Sequence, residues 1–268
     1  MLYTHSFNIR KDQLMTQKIR NSPSILWYFW LLITIAAVGA PGCLVAAPGW
    51  IVGYFWYPAT IAAGRFGRRA IKFMLMLNPW LKVRVEGEFP SVLGRLNCPA
   101  MIVANHRSAL DVFLLITMLP NVRIVAKKEL WGIPFLGFIM TMMKHIPVDR
   151  GDAESLLKLN SEIVSALKRG ESVAVFPEGK RCEKGFFGLQ RMSLFAFKLA
   201  RNLNLPVYPL VFSNTDQIWP KGSYKIQGGE AVVYILDPLP ATHFQTTKAL
   251  VTETRERMMS VLAGSHEY

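Results

Sequence analysis

The sequence predicts an α/β domain with a mixed, largely parallel sheet flanked by helices, preceded by a hydrophobic helical hairpin at the N-terminus. Two observations carry this. From Lys82 onward, short β-rich runs alternate with stretches of helical periodicity, the pattern of a sheet covered on both faces. Before them, Asn21 to Gly64 form a run of 44 residues without one charged side chain. The 268 residues leave room for one large domain and an appendage, and nothing demands a second globular domain.

The uncharged run is too long for one membrane span, because a helix of about 20 residues already crosses the hydrocarbon core. Pro41-Gly42 and Pro48-Gly49 break it near its middle. Two helices joined by a tight turn fit, roughly 25–40 and 50–64. The first is short for a full crossing, so a re-entrant or interfacial hairpin fits as well. Arg10, Lys11, Lys18 and Arg20 precede the run, and Arg65, Arg68, Arg69, Lys72, Lys82 and Arg84 follow it. Positive charge marks the cytoplasmic side; with both flanks positive, an even number of crossings, or none, keeps the rest of the chain in the cytoplasm. Ala46-Ala47 resembles a cleavage site, but a second apolar segment follows at once, which disfavours a secretory signal. Trp27, Trp30, Trp50 and Trp56 either anchor the hairpin at the interface or pack against one another. The expected divisions are a basic N-terminus (1–24), the membrane hairpin (25–64) and an α/β domain (65–268) on the cytoplasmic side of the membrane.

Strands are expected at 82–86, 100–104, 122–126, 145–148, 172–176, 207–212 and 231–236, and helices at 109–119, 153–169, 192–203 and 245–262. The clearest helix opens at Asp152 and closes at Gly170, with Leu156, Leu159, Ile163, Val164 and Leu167 on one face. Met140, Met142 and Met143 read as core or membrane-facing filler. Prolines in Leu205-Pro206-Val207-Tyr208-Pro209 point to an edge strand.

Hydrophobic residues make up 51% of the chain and charged residues 18%, which leans toward a membrane; the net charge of +13 calls for an anionic partner. Lipid surface, phosphorylated substrate and acidic carrier protein all qualify. Nucleic acid does not: no helix-turn-helix or zinc-finger pattern is present, and much of the charge flanks the apolar run. Cys43, Cys98 and Cys182 lack paired spacing, so neither a disulfide framework nor a zinc site is expected. The sequence contains no G-x-S-x-G, Walker loop or G-x-G-x-x-G.

In α/β sheets reactive residues gather where strands end, and four clusters stand there. In Asn105-His106-Arg107-Ser108-Ala109-Leu110-Asp111, a neutral imidazole can take an alcohol proton while a carboxylate fixes its tautomer. A five-residue offset on one helix separates side chains by about 140°, so the pair needs His106 in a loop and Asp111 in the first helical turn. Ser108 with Asp111 equally fits a capping box. Phe176-Pro177-Glu178-Gly179-Lys180-Arg181 offers close backbone approach and two cations for a phosphate, or a plain polar turn. Arg150, ending Ile146-Pro147-Val148-Asp149-Arg150, either holds phosphate or pairs with Asp149. Leu205 to Val211 reads best as core.

Together, and in this order, the four clusters resemble the blocks of the glycerolipid acyltransferases, most closely the bacterial 1-acylglycerol-3-phosphate acyltransferases. The resemblance runs from about Lys82 to about Pro238. It implies transfer of a fatty acyl group from an acyl thioester to the hydroxyl of lysophosphatidic acid, giving phosphatidic acid. His106 would be the general base and Asp111 its orienting partner. Lys127, Arg150, Glu178, Gly179 and Arg181 would bind the glycerol-phosphate end. Acyl-coenzyme A or acyl carrier protein would be co-substrate, without cofactor or metal, and membrane lipids and a lysophospholipid acceptor would be the partners. A thioester is already activated, so a base and an oxyanion donor suffice; backbone N–H groups near Ser108 are one candidate donor.

The chain departs from the family pattern at Lys180 (usually threonine), Cys182 (often serine), Pro147, and Gln190-Arg191-Met192-Ser193. These surround the acceptor-binding blocks and leave the reaction type intact. A different lysolipid acceptor, such as a lysophospholipid with a head group or a lyso-ornithine lipid, keeps the chemistry. A thioesterase, a lipase or a non-catalytic lipid-binding protein would not.

Overall fold

The computed structural model describes residues 57–89, 98–119, 122–133, 136–223 and 227–264, with Phe29 and Ile33. The expected hairpin therefore lies almost wholly outside the described residues. Among these, no helix is long and apolar enough to cross a membrane.

The elements follow in the order α1 (Tyr57–Met76), β1 (Leu81–Glu86), β2 (Met101–Ala104), α2 (Leu110–Met118), β3 (Val122–Lys127), a 3-10 turn (Lys128–Gly132) and α3 (Leu136–Met142). Then come β4 (Ile146–Val148), α4 (Ala153–Lys168), β5 (Ser172–Val175), α5 (Phe195–Asn202), β6 (Pro206–Ser213), α6 (Thr215–Ile218), β7 (Gly229–Ile235), β8 (Leu239–Pro240) and α7 (Thr247–Gly264). The sheet order is β1-β7-β6-β2-β5-β3-β4, with β8 beside β6. Pairing is parallel except at β6–β7 and β6–β8, so the sheet is mixed and largely parallel, as expected.

Strand side chains alternate between two apolar layers. Met101, Val103, Val173, Val175, Val207 and Val211 face α4, α5 and α7. Ile102, Ala104, Ala174, Tyr208, Leu210 and Phe212 face α1 and α2. Burial on both faces explains why these strands read as apolar runs instead of alternating ones. Helix α4 opens as expected: Asp152 Oδ1 accepts the Glu154 N–H at 3.0 Å, while Leu159, Ile163 and Leu167 are buried. Met140 and Met142 are core.

Three expectations need correction. The helix expected to end at residue 64 continues through Arg65, Arg68, Arg69 and Lys72 to Met76; charge returned there, but the helical backbone did not stop. It packs on α3 at Gly67, where a Cβ would come within 2.7 Å of Met142 Cε. Strand β6 is no edge strand, since it lies between β2 and β7. Pro209 is tolerated because the β7 ladder begins at Leu210 and the β8 ladder ends at Val207, so no antiparallel neighbour needs its missing N–H. Helices α3 and α6 were unforeseen; each is too short to show a clear period.

Opposite the strand ends that carry the clusters, His145 is buried beside Arg123, which is itself bonded to Glu171. Its Nδ1 accepts the Ile124 N–H at 3.1 Å. Burial, and then the Arg123 charge, push its pKa from 6.5 down to about 3. The unfolded chain binds this proton below about pH 6.5 and the folded chain only below about 3, so stability falls with pH across that window. Between pH 7 and pH 5 the wild type should lose about 2 kcal/mol more than H145Q, which keeps an acceptor but no titrating group. Thermal melting at the two pH values measures this, and parallel losses in both proteins would count against it.

Candidate active site

Parallel neighbours present their C-terminal ends at one edge of a sheet. Strands β6, β2, β5, β3 and β4 are such neighbours, so Asp216, His106, Glu178-Gly179, Lys127 and Arg150 all arrive at that edge despite their separation in sequence. Asn105 extends the ladder past β2: its Nδ2 donates to the Phe212 carbonyl at 2.9 Å and its Oδ1 accepts the Phe212 N–H at 2.7 Å.

His106 sits in the following loop and Asp111 in the first turn of α2, the arrangement that the spacing requires. Asp111 is fully buried, and one oxygen, Oδ2, accepts from His106 Nδ1 at 3.0 Å and from the Arg107 and Ser108 N–H groups at 2.7 Å each. Ser108 Oγ accepts the Leu110 N–H at 3.1 Å and donates to the Trp219 carbonyl at 2.7 Å. The His106–Asp111 pair and the Ser108 turn that leads into α2 are therefore one structure. An ionised Asp111 only accepts, which holds the imidazole proton on Nδ1 and leaves Nε2 its lone pair. The ring stacks on Phe176, with centroids 4.1 Å apart.

His106 opens on a cavity of about 580 Å³. Lys127, Arg150, Lys180, Arg181 and Lys221 line it, against two carboxylates, Glu129 and Asp149. A second cavity of about 830 Å³ shares Arg150, Phe176, Gly179 and Lys180 with the first and runs between α4 and α5 over Leu156, Leu159, Ile163, Leu194 and Phe195. The first cavity carries five cations beside the histidine; the second carries three, Arg150, Lys180 and Arg191, and has its apolar wall on α4 and α5.

The expected phosphate-binding residues divide. Lys127, Arg150, Gly179 and Arg181 line the cavity with His106. Glu178 lines only the second one, and its oxygens accept the N–H groups of His106 (2.9 Å) and Gln190 (2.8 Å). Burial raises its pKa, with those N–H groups opposing; it holds two loops together. Arg150 makes no ion pair with Asp149, whose Oδ1 instead accepts the Gly151 N–H. Gly179 has φ +78°, and a Cβ there would lie 3.0 Å from Arg150 Nη1, so the glycine admits the guanidinium to the cavity floor. Lys127 is exposed and paired with Glu129 at 2.7 Å. Of the backbone donors near Ser108, the N–H groups of Arg107 and Ser108 are taken by Asp111 and that of Leu110 by Ser108 Oγ, while Ala109 lines the His106 cavity. Cys182 is buried, its thiol pushed up to about 11, chiefly by desolvation.

One buried group escaped the sequence reading. Asp216, 1% exposed, binds Arg107 Nε at 2.8 Å and Nη2 at 3.3 Å. Burial works against the Arg107 charge, but the Asp216 hydrogen bond and charge raise its pKa overall. Arg107 Nη2 also donates to the Phe186 carbonyl at 3.0 Å, and Asp216 Oδ2 accepts the Gly185 N–H at 3.4 Å. No local signal marks Asp216, since its partner lies 109 residues away. D216N leaves a buried guanidinium without a counter-ion and should lower stability by about 3–5 kcal/mol, a fall in melting temperature on the order of 10 °C. The paired variant R107M/D216L should lose less; an unchanged melting temperature in D216N would contradict this account.

The acyltransferase family profile matches residues 82–213, which span β1 to β6. A 1-acyl-sn-glycerol-3-phosphate acyltransferase of Saccharomyces cerevisiae is 30% identical over 236 residues, covering 87% of this chain and 75% of the yeast protein. A Pseudomonas aeruginosa protein of the same name is 34% identical over 160 residues, 58% of this chain and 61% of that protein. A chloroplast relative from Arabidopsis thaliana is 30% identical over 69% of this chain. The chain spans about half the length of the chloroplast relatives, 50% of the Arabidopsis protein and 54% of one from Brassica napus. The crystal structure of the 1-acyl-sn-glycerophosphate (LPA) acyltransferase PlsC from Thermotoga maritima shares the fold, with a TM-score of 0.69, 22% identity, and coverage of 94% of this chain and 96% of that one. Because likeness to the yeast protein extends over most of both chains and takes in the loop that joins His106 to Asp111, this chain belongs to the acyltransferase family.

Proposed function

We propose that the protein transfers a fatty acyl group from an acyl thioester to the free hydroxyl of lysophosphatidic acid, giving phosphatidic acid for phospholipid synthesis. The observation that carries this reading is the Asp111-held His106 opening on a cavity with five cations. The names of the yeast and Pseudomonas relatives support it.

In this mechanism His106 Nε2 removes the proton from the acceptor hydroxyl as its oxygen attacks the thioester carbonyl. Asp111 Oδ2 steadies the imidazolium that results. The tetrahedral intermediate collapses with cleavage of the C–S bond, and the proton passes from His106 to the departing thiolate. Arg150 and Lys180, which border both cavities, hold the acceptor phosphate, with Arg181 and Lys127 nearby. An exposed phosphate monoester suits this many cations better than a head-group diester, and Lys180, unusual for the family, adds one more. The apolar wall of the second cavity takes the acyl chain, delivered as a coenzyme A or carrier-protein thioester. Every step uses side chains of this chain alone.

The same reading places the catalytic domain on the cytoplasmic side of the inner membrane, held there by the uncharged run 21–64. Positive charge on both flanks of that run supports this.

Purified full-length protein with a long-chain acyl-coenzyme A and lysophosphatidic acid should form phosphatidic acid, and H106A should be slower by about 10²–10⁴-fold. Product persisting in H106A would remove the base from this scheme. R150A should raise KM for lysophosphatidic acid with kcat little changed, the mark of lost ground-state binding. Equal rates with lysophosphatidylcholine would argue for a different acceptor.

A further inference from the structure

The segment 180–195 joins the turn after β5 to the start of α5, and parts of it line both cavities. Leu189 and Met192 anchor it in the core, but four of its large apolar side chains are exposed: Phe187 is 72% exposed, Leu194 49%, Phe186 39% and Phe195 37%. Interleaved with them are four cations, Lys180, Arg181, Lys184 and Arg191, against a single acid. That acid, Glu183, is paired with Lys221 at 2.5 Å. Single exposed hydrophobes are ordinary on a soluble surface, but two adjacent phenylalanines among cations, in a segment whose two ends line the cavities, are not. Aromatic tips with basic neighbours are the composition of elements that lie in the headgroup region of a bilayer.

The segment is also fastened to the catalytic loop. Phe186 accepts from Arg107, the residue after His106, and Gly185 donates to Asp216, the partner of that arginine. Further along, the carbonyls of Leu189 and Gln190 each accept from Arg255 at 2.7 Å. The tips are therefore held at a set distance from the reacting base.

We propose that the 184–187 turn docks into the surface of an anionic bilayer. Phe186 and Phe187 enter the boundary between headgroups and acyl chains, and Lys184, Lys180 and Arg181 meet the lipid phosphates. The cavities then open onto the layer that holds the acceptor, a consequence that rests on the acceptor's being a bilayer lipid. This contact is separate in sequence from the uncharged run 21–64. The cations favour a lipid surface over an apolar protein partner.

The full-length protein with an environment-sensitive fluorophore on F187C, its native cysteines replaced by alanine, tests the docking directly. On vesicles of equimolar phosphatidylcholine and phosphatidylglycerol, the emission should shift to the blue and be quenched by brominated acyl chains. Water-like, unquenched emission from vesicle-bound protein would overturn the proposal, whether the turn stays in solvent or faces another protein. In a kinetic arm, F187D should slow acylation of vesicle-borne lysophosphatidic acid by about tenfold and leave kcat/KM for a water-soluble short-chain acceptor within about twofold. Equal effects on both acceptors, or none, would also overturn it. Failure of the wild type to acylate either acceptor would count against the acyltransferase reading, and the fluorescence result would still decide the docking.

Discussion

A single carboxylate oxygen organises the loop that carries His106. Asp111 Oδ2 accepts three hydrogen bonds, from one imidazole and two successive backbone N–H groups. Charge-assisted bonds of this kind are about twice as strong as neutral ones, and all three come from residues 106–108. The loop is thereby bent around the carboxylate, with the His106 tautomer and the start of α2 fixed in one act. The cost is that these N–H groups are no longer free to stabilise an oxyanion.

That loop works only because other segments hold it from behind. Glu178 reaches across from the end of β5 to the His106 N–H, and the Cys182 N–H donates to the His106 carbonyl at 2.9 Å. Phe176 supports the ring from below. Asp216 fixes Arg107 from the end of β6. A buried carboxylate such as Glu178 is stabilised by its backbone donors and penalised by desolvation, and here desolvation prevails. Its role is to tie the His106 loop to the Gln190 segment.

The sheet supplies the convergence. Strands β2, β5, β3 and β4 run parallel side by side, so four loops emerge at one edge with about 4.8 Å between neighbouring strands. Residues 106, 127, 150 and 179 then line one volume. Reversal at β7 and β1 turns the last two strands away from this edge and leaves it to the parallel block. The two ends of the 180–195 segment complete the cavity walls, with Lys180 and Arg181 beside His106 and Arg191 to Phe195 along the other cavity.

The chain's own order of residues determined the α/β class, the positions of the main strands, α4 with its Asp152 cap, and the placement of His106 in a loop ahead of Asp111. Those features depend on local periodicity, capping and spacing, which act over a few residues and are visible in one dimension. Tertiary structure alone decided that α1 continues past Gly64, that β6 is central with Pro209 lying between two ladders, and that Glu178 holds backbone. It alone paired Arg107 with Asp216 and brought Lys221 to the His106 cavity. Each of these rests on a partner tens of residues away or on a packing neighbour, and the burial that selects such partners exists only once the sheet has formed.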